Sequence, residues 1–465
     1  MLAERIGRFG RLTDAPATFA LVGARVIDPA AGSAAVRDVA VVGGRLASMG
    51  DLPDDAPRVD AHGLVVAPAF VDLHTHLREP GATDAEDVAS GTRAAAHGGY
   101  GTVYAMPNTD PPIDEPARVA WVAARGSDAA ARVRVIAAAT VGRRGEALTD
   151  MAALAEAGAV AFSDDGAAIP SAGLARSALA YLSGLGGLLI EHAEDATIAG
   201  GSLMRAGPTA TRLGLAGWSP SAERTIVERD IALAAETGAR LHLTHLATAV
   251  AVAVVRSARA EGLHVTCDVT PHHLALTDRW VAGDRAFAWD AAAGDADAFE
   301  GSLDPAVAYD GRCRVNPPLA SRDDAMALLA GLADGTIDAI ATDHAPHPDH
   351  RTNVPFSDAA PGMIGLETAL SLGLAAVESG RLTLERLIEA LSAAPGAIIG
   401  QAVGLDVGRE ADLVAFDPAA RWTVDASVLA SRSANTPLIG TALPGVVRLT
   451  VSAGRVSWND GLMNA

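Results

Sequence analysis

Residues 70–77 read "FVDLHTHL", an apolar, β-rich run that ends in ligand-type side chains. The chain repeats this design, a β-rich run followed by an Ala-rich stretch with helical spacing, from about residue 71 to about residue 400. The later runs are "GTVYAMPN", "VRVIAAATV", "AVAFSDDG", "GLLIEHAED", "RLHLTHLA", "LHVTCDVTPHH" and "DAIATDHAPH". Eight strand–helix units predict an α/β fold, a (β/α)8 barrel of the TIM type, with its active site where the polar residues cluster, at the carboxyl ends of the strands.

The two flanks of the chain have a different pattern. Residues 18–66 and 405–458 contain short alternating runs with Gly and Asp turns and little helix. Because neither flank has enough strands for a core of its own, we predict one small β-sandwich domain built from both chain ends. The predicted division is 1–66 and 403–465 for this domain and 67–402 for the barrel. Residues 281–311 are long, acidic and rich in small residues, which is typical of an insertion loop.

Composition narrows the class of partner. With 465 residues, 49% of them hydrophobic, the chain can bury a large core. A formal net charge of -20 disfavours nucleic acid and anionic membranes as partners, but local arginines can still bind a small anionic substrate. No apolar run reaches the ~18 residues of a spanning helix, and the first twenty residues lack the apolar core of a signal peptide, so a cytoplasmic location is the default expectation. The two cysteines, Cys267 and Cys313, are expected to be reduced.

All 36 basic residues are arginine, and the chain contains no lysine. Schiff-base chemistry, a P-loop lysine and a carboxylated-lysine metal ligand are therefore excluded.

His74 and His76 lie two residues apart, so on a strand both rings point to the same face and can share one metal. Such a pair alone is at least as often structural. Here, however, later strands also end in ligand-type residues, namely Asp165, His192, His245 and Asp343. Four histidines and two carboxylates from five strands on one rim predict a metal site.

Seven motifs in order, "VDLHTHLREPG", "MPNT", "FSDDG", "HAED", "VTPHH", "RVNPPL" and "ATDHAPH", resemble the dihydroorotases of the cytosolic bacterial type, within the cyclic amidohydrolases. The resemblance spans about residues 60–450. It implies a barrel of the metal-dependent hydrolase kind, zinc, and reversible hydrolysis of the cyclic amide of L-dihydroorotate to N-carbamoyl-L-aspartate in de novo pyrimidine (UMP) biosynthesis.

Carried over motif by motif, the resemblance implies that His74, His76 and Asp343 hold one zinc, that His192 and His245 hold a second, and that Asp165 bridges them. Many relatives bridge with a carboxylated lysine, so an aspartate bridge is required here if two metals are present; a single zinc is the alternative. Gly166 permits an unusual turn beside this short bridge. Asp343 is expected to take a proton from the attacking hydroxide and deliver it to the leaving nitrogen; the alternative is a ligand without a proton role.

Arg78 lies two residues past His76 on the same face, where its guanidinium can bind a carboxylate; the alternative is a salt bridge to Glu79 or a neighbouring acid. By resemblance, Asn108 and His347 complete the carboxylate pocket, His76 also contacts the substrate, and the ring amide groups bind Asn316 and the backbone near Pro361 and Gly362. His272 and His273 match the family as well but are interpreted as structural, and His242 as a residue of the barrel wall.

Two further functions stay open at this point. One is a hydantoinase or allantoinase, although those relatives rely on a carboxylated lysine. The other is a non-catalytic scaffold for aspartate transcarbamoylase, although such chains typically lose metal ligands. The expected partners are a small-molecule substrate, a second copy in a homodimer and, as a further association, aspartate transcarbamoylase. The chain also departs from its relatives after "DHAPH", where Arg351 and Thr352 replace the usual acidic residue and lysine.

Overall fold

The computed structural model describes residues 8–290 and 306–464. Eight short strands form one parallel sheet in chain order. A parallel bridge between Thr75 and His344 joins the first strand to the segment after the last, and His76 N donates to His344 O over 2.9 Å. The predicted barrel is therefore confirmed, with strands β1 Phe70–Thr75, β2 Tyr100–Ala105, β3 Arg132–Ala137, β4 Ala159–Phe162, β5 Leu188–His192, β6 Arg240–Thr244, β7 Val265–Val269 and β8 Ala339–Ile340.

Helices follow each strand and cover the sheet from outside. Their starts are set by side-chain caps, for example Ser171 accepting from Leu174 N and Thr248 accepting from Ala251 N. The crossover helices are Val88–His97, Pro116–Arg125, Met151–Glu156, Ala172–Leu185, Pro220–Thr237, Ala249–Ala260, Arg322–Asp334 and Ala369–Glu378. Two more, Leu384–Leu391 and Ala393–Ile399, end the barrel, and short helices occupy Ala196–Ala199, Pro208–Leu213, Pro271–Ala275 and Asp349–Thr352.

Both chain ends combine into a separate nine-stranded sheet, as predicted. Strand Val65–Pro68 pairs with Phe19–Asp28 from the N-terminal flank and with Leu413–Thr423 from the C-terminal flank. The sheet buries an apolar core of its own, and its edge strand contacts the C-terminal flank, where Leu46 N donates to Arg409 O. The remaining strands are Arg8–Phe9, Ser33–Val42, Arg45–Ala47, Arg58–Asp60, Ala442–Ser452 and Arg455–Asn459.

The predicted domain boundaries stay predictions. Strand Val65–Pro68 belongs to the small sheet and runs through Ala69 directly into β1, so it lies across the predicted boundary at 66/67. Residues 424–441, which connect two strands of the small sheet, cross to the barrel and contact its carboxyl-terminal rim. We call them the crossing segment.

The predicted insertion is described only at its two ends. At its first end Val281 and Ala288 are buried. Phe287 stacks on the buried Trp280, which directly precedes the insertion, with ring centroids 6.0 Å apart. Residues 291–305 lie outside the described residues. Among the described residues, no helix has the length and apolar character needed to cross a membrane.

Candidate metal centre and substrate pocket

The six predicted metal ligands meet at the carboxyl-terminal rim of the barrel. They extend from the ends of β1, β4, β5 and β6 and from the segment after β8, and none is more than 6% exposed. The sheet order explains the meeting, because parallel strands that close into a barrel bring all their carboxyl ends to one rim. The residues are His74, His76, Asp165, His192, His245 and Asp343.

Asp165 lies at the centre of this cluster. Its Oδ1 is 3.2 Å from His74 Nε2 and 3.7 Å from His245 Nε2. The same oxygen is 3.7 Å from His192 Nδ1, while Oδ2 is 3.5 Å from His76 Nε2. One carboxylate therefore faces all four histidines, which is the placement that a bridging ligand requires.

Asp343 faces the two histidines of β1. Its Oδ1 lies 3.0 Å from His76 Nε2 and 3.5 Å from His74 Nε2. His192 Nδ1 lies 2.9 Å from His245 Nε2. Asp343 thus lies beside His74 and His76, His192 lies beside His245, and Asp165 faces both of these groups.

The outer nitrogens of two histidines are held by other side chains. His74 Nδ1 lies 2.8 Å from Thr244 Oγ1, and His76 Nδ1 lies 2.7 Å from Asn108 Oδ1. The amide group of Asn108 also donates to Asp165 Oδ2 over 2.9 Å. These contacts orient the rings so that each Nε2 points into the cluster.

The cluster fits a bound cation. His74 Nε2 is buried without a hydrogen-bond partner among the described residues. Ligand atoms of His74, His76 and Asp343 lie within 4.8 Å of one another, as do those of His74, Asp165 and His245. Imidazole nitrogens and carboxylate oxygens are ligands that zinc accepts.

The charges of the cluster also favour a bound cation. Burial opposes a charge on His74, yet Asp165 and Asp343 raise its pKa to about 10. Burial likewise works against ionised Asp165, but His74 and its neighbours hold the pKa of that carboxyl well below its usual range. Asp165 and Asp343 are thus ionised and buried together, which favours a positive charge between them, either on His74 or on a bound cation.

Backbone strain is concentrated around the cluster. Arg78, His245 and Asp343 have φ of 58°, 42° and 45°, in the left-handed region that side chains other than glycine rarely adopt. Gly166, next to Asp165, has φ of 82°, as its predicted turn requires. Such strained residues are typical of functional sites, where surrounding contacts hold the side chain in place.

Asp164 turns away from the cluster. Its Oδ1 accepts from Ala139 N and Thr140 N, each over 3.0 Å, and its Oδ2 accepts from the Thr140 hydroxyl. Asp164 therefore joins the ends of β3 and β4.

Arg78 borders a cavity of about 250 Å³ that opens next to the cluster. Its Nε donates to Pro346 O over 3.1 Å, and its Nη2 lies 3.3 Å from His347 Nε2. Glu79 is not its partner, because that carboxylate binds Arg125 at 2.9 Å and accepts from Val88 N.

Burial lowers the pKa of Arg78 to about 10, so its guanidinium is charged at neutral pH. Burial and Arg78 lower the pKa of His347 to about 4, so that ring is neutral.

Of the other predicted substrate residues, Asn108 and His347 line the same cavity, whereas Asn316, Pro361 and Gly362 are not among its lining residues. Asn316 Nδ2 lies 3.4 Å from His192 Nε2, and His347 Nε2 lies 3.0 Å from Pro361 O. Gly362 follows with φ of 139°; a Cβ there would lie 2.7 Å from Ala345 Cβ. Arg351, at the departure after "DHAPH", also lines the cavity.

Three other histidines, His242, His272 and His273, are buried but are not among the six proposed ligands. His273 lies 2.8 Å from Thr270 Oγ1 and 3.0 Å from Pro317 O, which ties β7 to the segment that carries Asn316. His242 Nε2 lies 2.8 Å from Asp268 Oδ2. His272 is buried, and its Nε2 has no hydrogen-bond partner among the described residues.

Two residues that hold parts of the site in place, Asp268 and Asn435, are not predicted from the sequence motifs. Asp268 accepts from His245 N over 2.6 Å and so fixes a strained ligand position. Asn435 accepts from His347 N over 3.0 Å. Asp268 stands in the β7 run "VTCDVTPHH", where alternation could have shown that it faces the β6 ligand, but the position of Asn435 depends on a contact 88 residues away in sequence.

The fold and the site first define a class. The L-hydantoinase of Arthrobacter aurescens superposes with a TM-score of 0.79 at 24% identity, covering 97% of each chain. A dihydropyrimidinase from Brevibacillus agri superposes with a TM-score of 0.77 at 21% identity, covering 96% of this chain and 95% of that one. The chain therefore shares the fold of these two proteins over nearly its whole length.

Sequence comparison then gives the family. The family model described as "Dihydro-orotase-like" matches residues 63–250. The dihydroorotase of Anaeromyxobacter dehalogenans is 45% identical over 444 residues, which are 94% of this chain and 97% of that protein. The dihydroorotase of Mycobacterium tuberculosis is 43% identical over 439 residues, 92% of this chain and 96% of that protein. The chain belongs to the dihydroorotase family and is an enzyme of that family.

Proposed function

We propose that the chain is a zinc-dependent dihydroorotase that reversibly hydrolyses L-dihydroorotate to N-carbamoyl-L-aspartate in pyrimidine biosynthesis. The observation that carries the proposal is the pairing of two features on one rim. A buried cluster of four histidines and two aspartates lies next to a pocket that holds a charged arginine, Arg78. The first feature suits amide hydrolysis, and the second suits a carboxylate on the ring that is opened.

Zinc would be held by His74, His76 and Asp343 on one side and by His192 and His245 on the other, with Asp165 between them. When bound, the metal would lower the pKa of a ligating water and polarise the ring carbonyl. Two zinc ions are the expected number because Asp165 faces histidines of both groups.

Asp343 is the proposed proton carrier. Burial works against its charge, but His74 and His76 hold the pKa of this carboxyl below its usual range. Asp343 is therefore ionised at neutral pH and can accept a proton from the attacking nucleophile. It then delivers that proton to the ring nitrogen, which is a poor leaving group until protonated.

Arg78, Asn108 and His347 are the proposed carboxylate pocket. The guanidinium of Arg78 is oriented by Pro346 O and lies beside the neutral ring of His347, so it can donate to a carboxylate. Asn108 also contacts His76 and Asp165, which connects the substrate pocket with the metal cluster. Asn316 and the backbone of Pro361 and Gly362 would bind the ring amide, and His76 would contact the substrate from the metal side.

The cytoplasmic location, the homodimer and an association with aspartate transcarbamoylase stay predictions from the sequence.

The test is substrate choice. Zinc-loaded protein should hydrolyse L-dihydroorotate and should show little or no activity on hydantoin or allantoin, which lack the ring carboxylate of L-dihydroorotate. Activity on hydantoin or allantoin with none on L-dihydroorotate would contradict the proposal. No activity on any of them would favour the scaffold.

A further inference from the structure

The crossing segment reaches the substrate pocket from the small sheet. It leaves the sheet after Thr423, runs along the barrel rim and returns at Ala442. Along this path Asn435 is completely buried. Its side chain contacts at once two loops of the connection that follows β8, one on each side of helix Asp349–Thr352.

Every polar atom of the Asn435 side chain has a partner in those loops. Its Oδ1 accepts from His347 N over 3.0 Å. Its Nδ2 donates to Ala345 O and to Gly362 O, each over 3.0 Å. One partner is a donor and two are acceptors, so the orientation of the amide group follows from the contacts.

These two loops carry the proposed ligands of the two ends of the substrate. His347 belongs to the carboxylate pocket, and Pro361 and Gly362 to the ring-amide side. The loops approach closely, since a Cβ on Gly362 would lie 3.1 Å from His347 Nε2. A small change in their spacing would therefore alter both halves of the pocket together.

We propose that Asn435 is a positioning residue for substrate binding: it fixes the distance between His347 and the Pro361–Gly362 backbone without touching the substrate. This inference rests on the proposed function. It also gives the small sheet a role in the reaction, because that sheet supplies the segment that carries Asn435.

The crossing segment has a second anchor that does not involve Asn435. Ala430 N donates to Glu367 Oε1 over 2.7 Å, and Ser431 Oγ donates to Glu86 Oε2 over 2.5 Å. Substitution of Asn435 should therefore change the two loops while leaving the segment on the rim.

The test compares Asn435→Asp and Asn435→Ala with Asn459→Ala. The Asp variant keeps the acceptor for His347 N but loses both donors and places a carboxylate against two carbonyl oxygens. Asn459 is a buried asparagine of the small sheet. Its Oδ1 accepts from Met463 N over 3.1 Å, and this contact involves no residue of the substrate pocket. We expect the KM for L-dihydroorotate to rise about tenfold or more in both Asn435 variants, with kcat changed by less than about threefold. Zinc content should be unchanged, and Asn459→Ala should keep the wild-type KM.

A merely structural role would lower the amount of active enzyme, hence the apparent kcat, and would leave the KM alone; that result would overturn the inference. Failure of both Asn435 variants to fold would overturn it too. If wild-type protein does not turn over L-dihydroorotate, the proposed function fails, and amide hydrogen exchange then tests whether Asn435 holds the two loops. Exchange at His344, Ala345 and His347 should then be faster in Asn435→Ala than in wild type or Asn459→Ala. Equal rates would contradict the positioning role of Asn435.

Discussion

Asp164 and Asp165 follow each other at the end of β4 and face opposite surroundings. Asp165 faces four histidines, whereas Asp164 accepts three hydrogen bonds from Ala139 and Thr140. The chain turns at Asp165 and Gly166, so the two adjacent aspartates enter different surroundings and acquire different roles. The sequence predicts the choice of Asp165 through the absence of lysine and the family motif.

Asp165→Ala should lose most of its bound zinc, and its turnover should fall by at least about a hundredfold. Loss of a residue that only hydrogen-bonds a metal ligand typically lowers metal affinity or activity by about 10- to 100-fold, and loss of a ligand itself should cost more. Asp164→Ala should keep its zinc but lose about 2 kcal/mol of stability, because two buried backbone N–H groups lose their acceptor. Metal analysis and denaturant unfolding of both variants check this. Equal zinc loss in the two variants would contradict the assignment of the bridge.

Arg78→Met should raise the KM for L-dihydroorotate by about tenfold to a hundredfold, the effect expected for losing hydrogen bonds between charged groups. Zinc content should stay at the wild-type value, because Arg78 contacts Pro346 and His347 but none of the six proposed ligands. Steady-state kinetics with metal analysis measures both quantities, and loss of zinc would show that Arg78 has a structural role instead.

The sequence predicts the six proposed ligands but does not predict Asn435. The six proposed ligands stand at strand ends, where barrel topology brings them together, so their sequence pattern is sufficient. Asn435 stands in an irregular connection between two strands of the small sheet, and no local pattern predicts that this connection crosses to the barrel rim.

Among the secondary-structure elements, β8 departs most from its sequence pattern. The run "DAIATDHAPH" predicts a full strand, but only Ala339–Ile340 is one. Asp343 adopts φ of 45°, which a strand cannot contain, and the chain rejoins β1 only at His344. The positive φ that places the Asp343 carboxylate is thus incompatible with a longer strand. β propensity does not predict this positive φ.

Helix Pro220–Thr237 carries a buried carboxylate at its start. Glu223 accepts from Ala247 N over 2.7 Å and from the Thr248 hydroxyl, which fixes the loop after β6. Burial, with a contribution from Asp324, raises the pKa of Glu223 to about 7 from 4.5.

The folded state therefore holds a proton on Glu223 between about pH 4.5 and 7 that the unfolded state has lost, and stability from this group falls as pH rises through that window. Relative to Glu223→Gln, the wild type should lose up to about 3 kcal/mol of unfolding free energy between these limits. Urea unfolding of both proteins at a series of pH values measures the difference. A difference that does not change with pH would contradict the raised pKa.

At the scale of the whole molecule, the chain ends combine in one sheet and the connection between two of its strands reaches the active-site rim. The sequence predicts the shared sheet, because neither flank alone has enough strands. It does not predict the crossing segment, which reads as one more irregular connection between strands. Arg132 of β3 pairs with Glu410 and Asp412 beside the small sheet and so ties the two parts together on the opposite side.

Bound zinc should stabilise the whole chain, because it neutralises two carboxylates that are buried together. At free zinc about 100 times the Kd, the expected gain is about 2.7 kcal/mol. Thermal unfolding with zinc and with a chelator should show a higher Tm with zinc for the wild type and no difference for Asp165→Ala. An equal zinc effect on both proteins would place the stabilising metal elsewhere.

A zinc titration of metal-free protein, with hydrolysis of L-dihydroorotate as the readout, tests whether the cluster is a catalytic metal centre. Activity should be absent without metal, rise with added zinc and level off at two equivalents per chain, or at one if Asp165 does not bridge. Full activity in the metal-free protein, or none at any zinc concentration, would contradict the assignment of this cluster as the catalytic metal centre of a dihydroorotase.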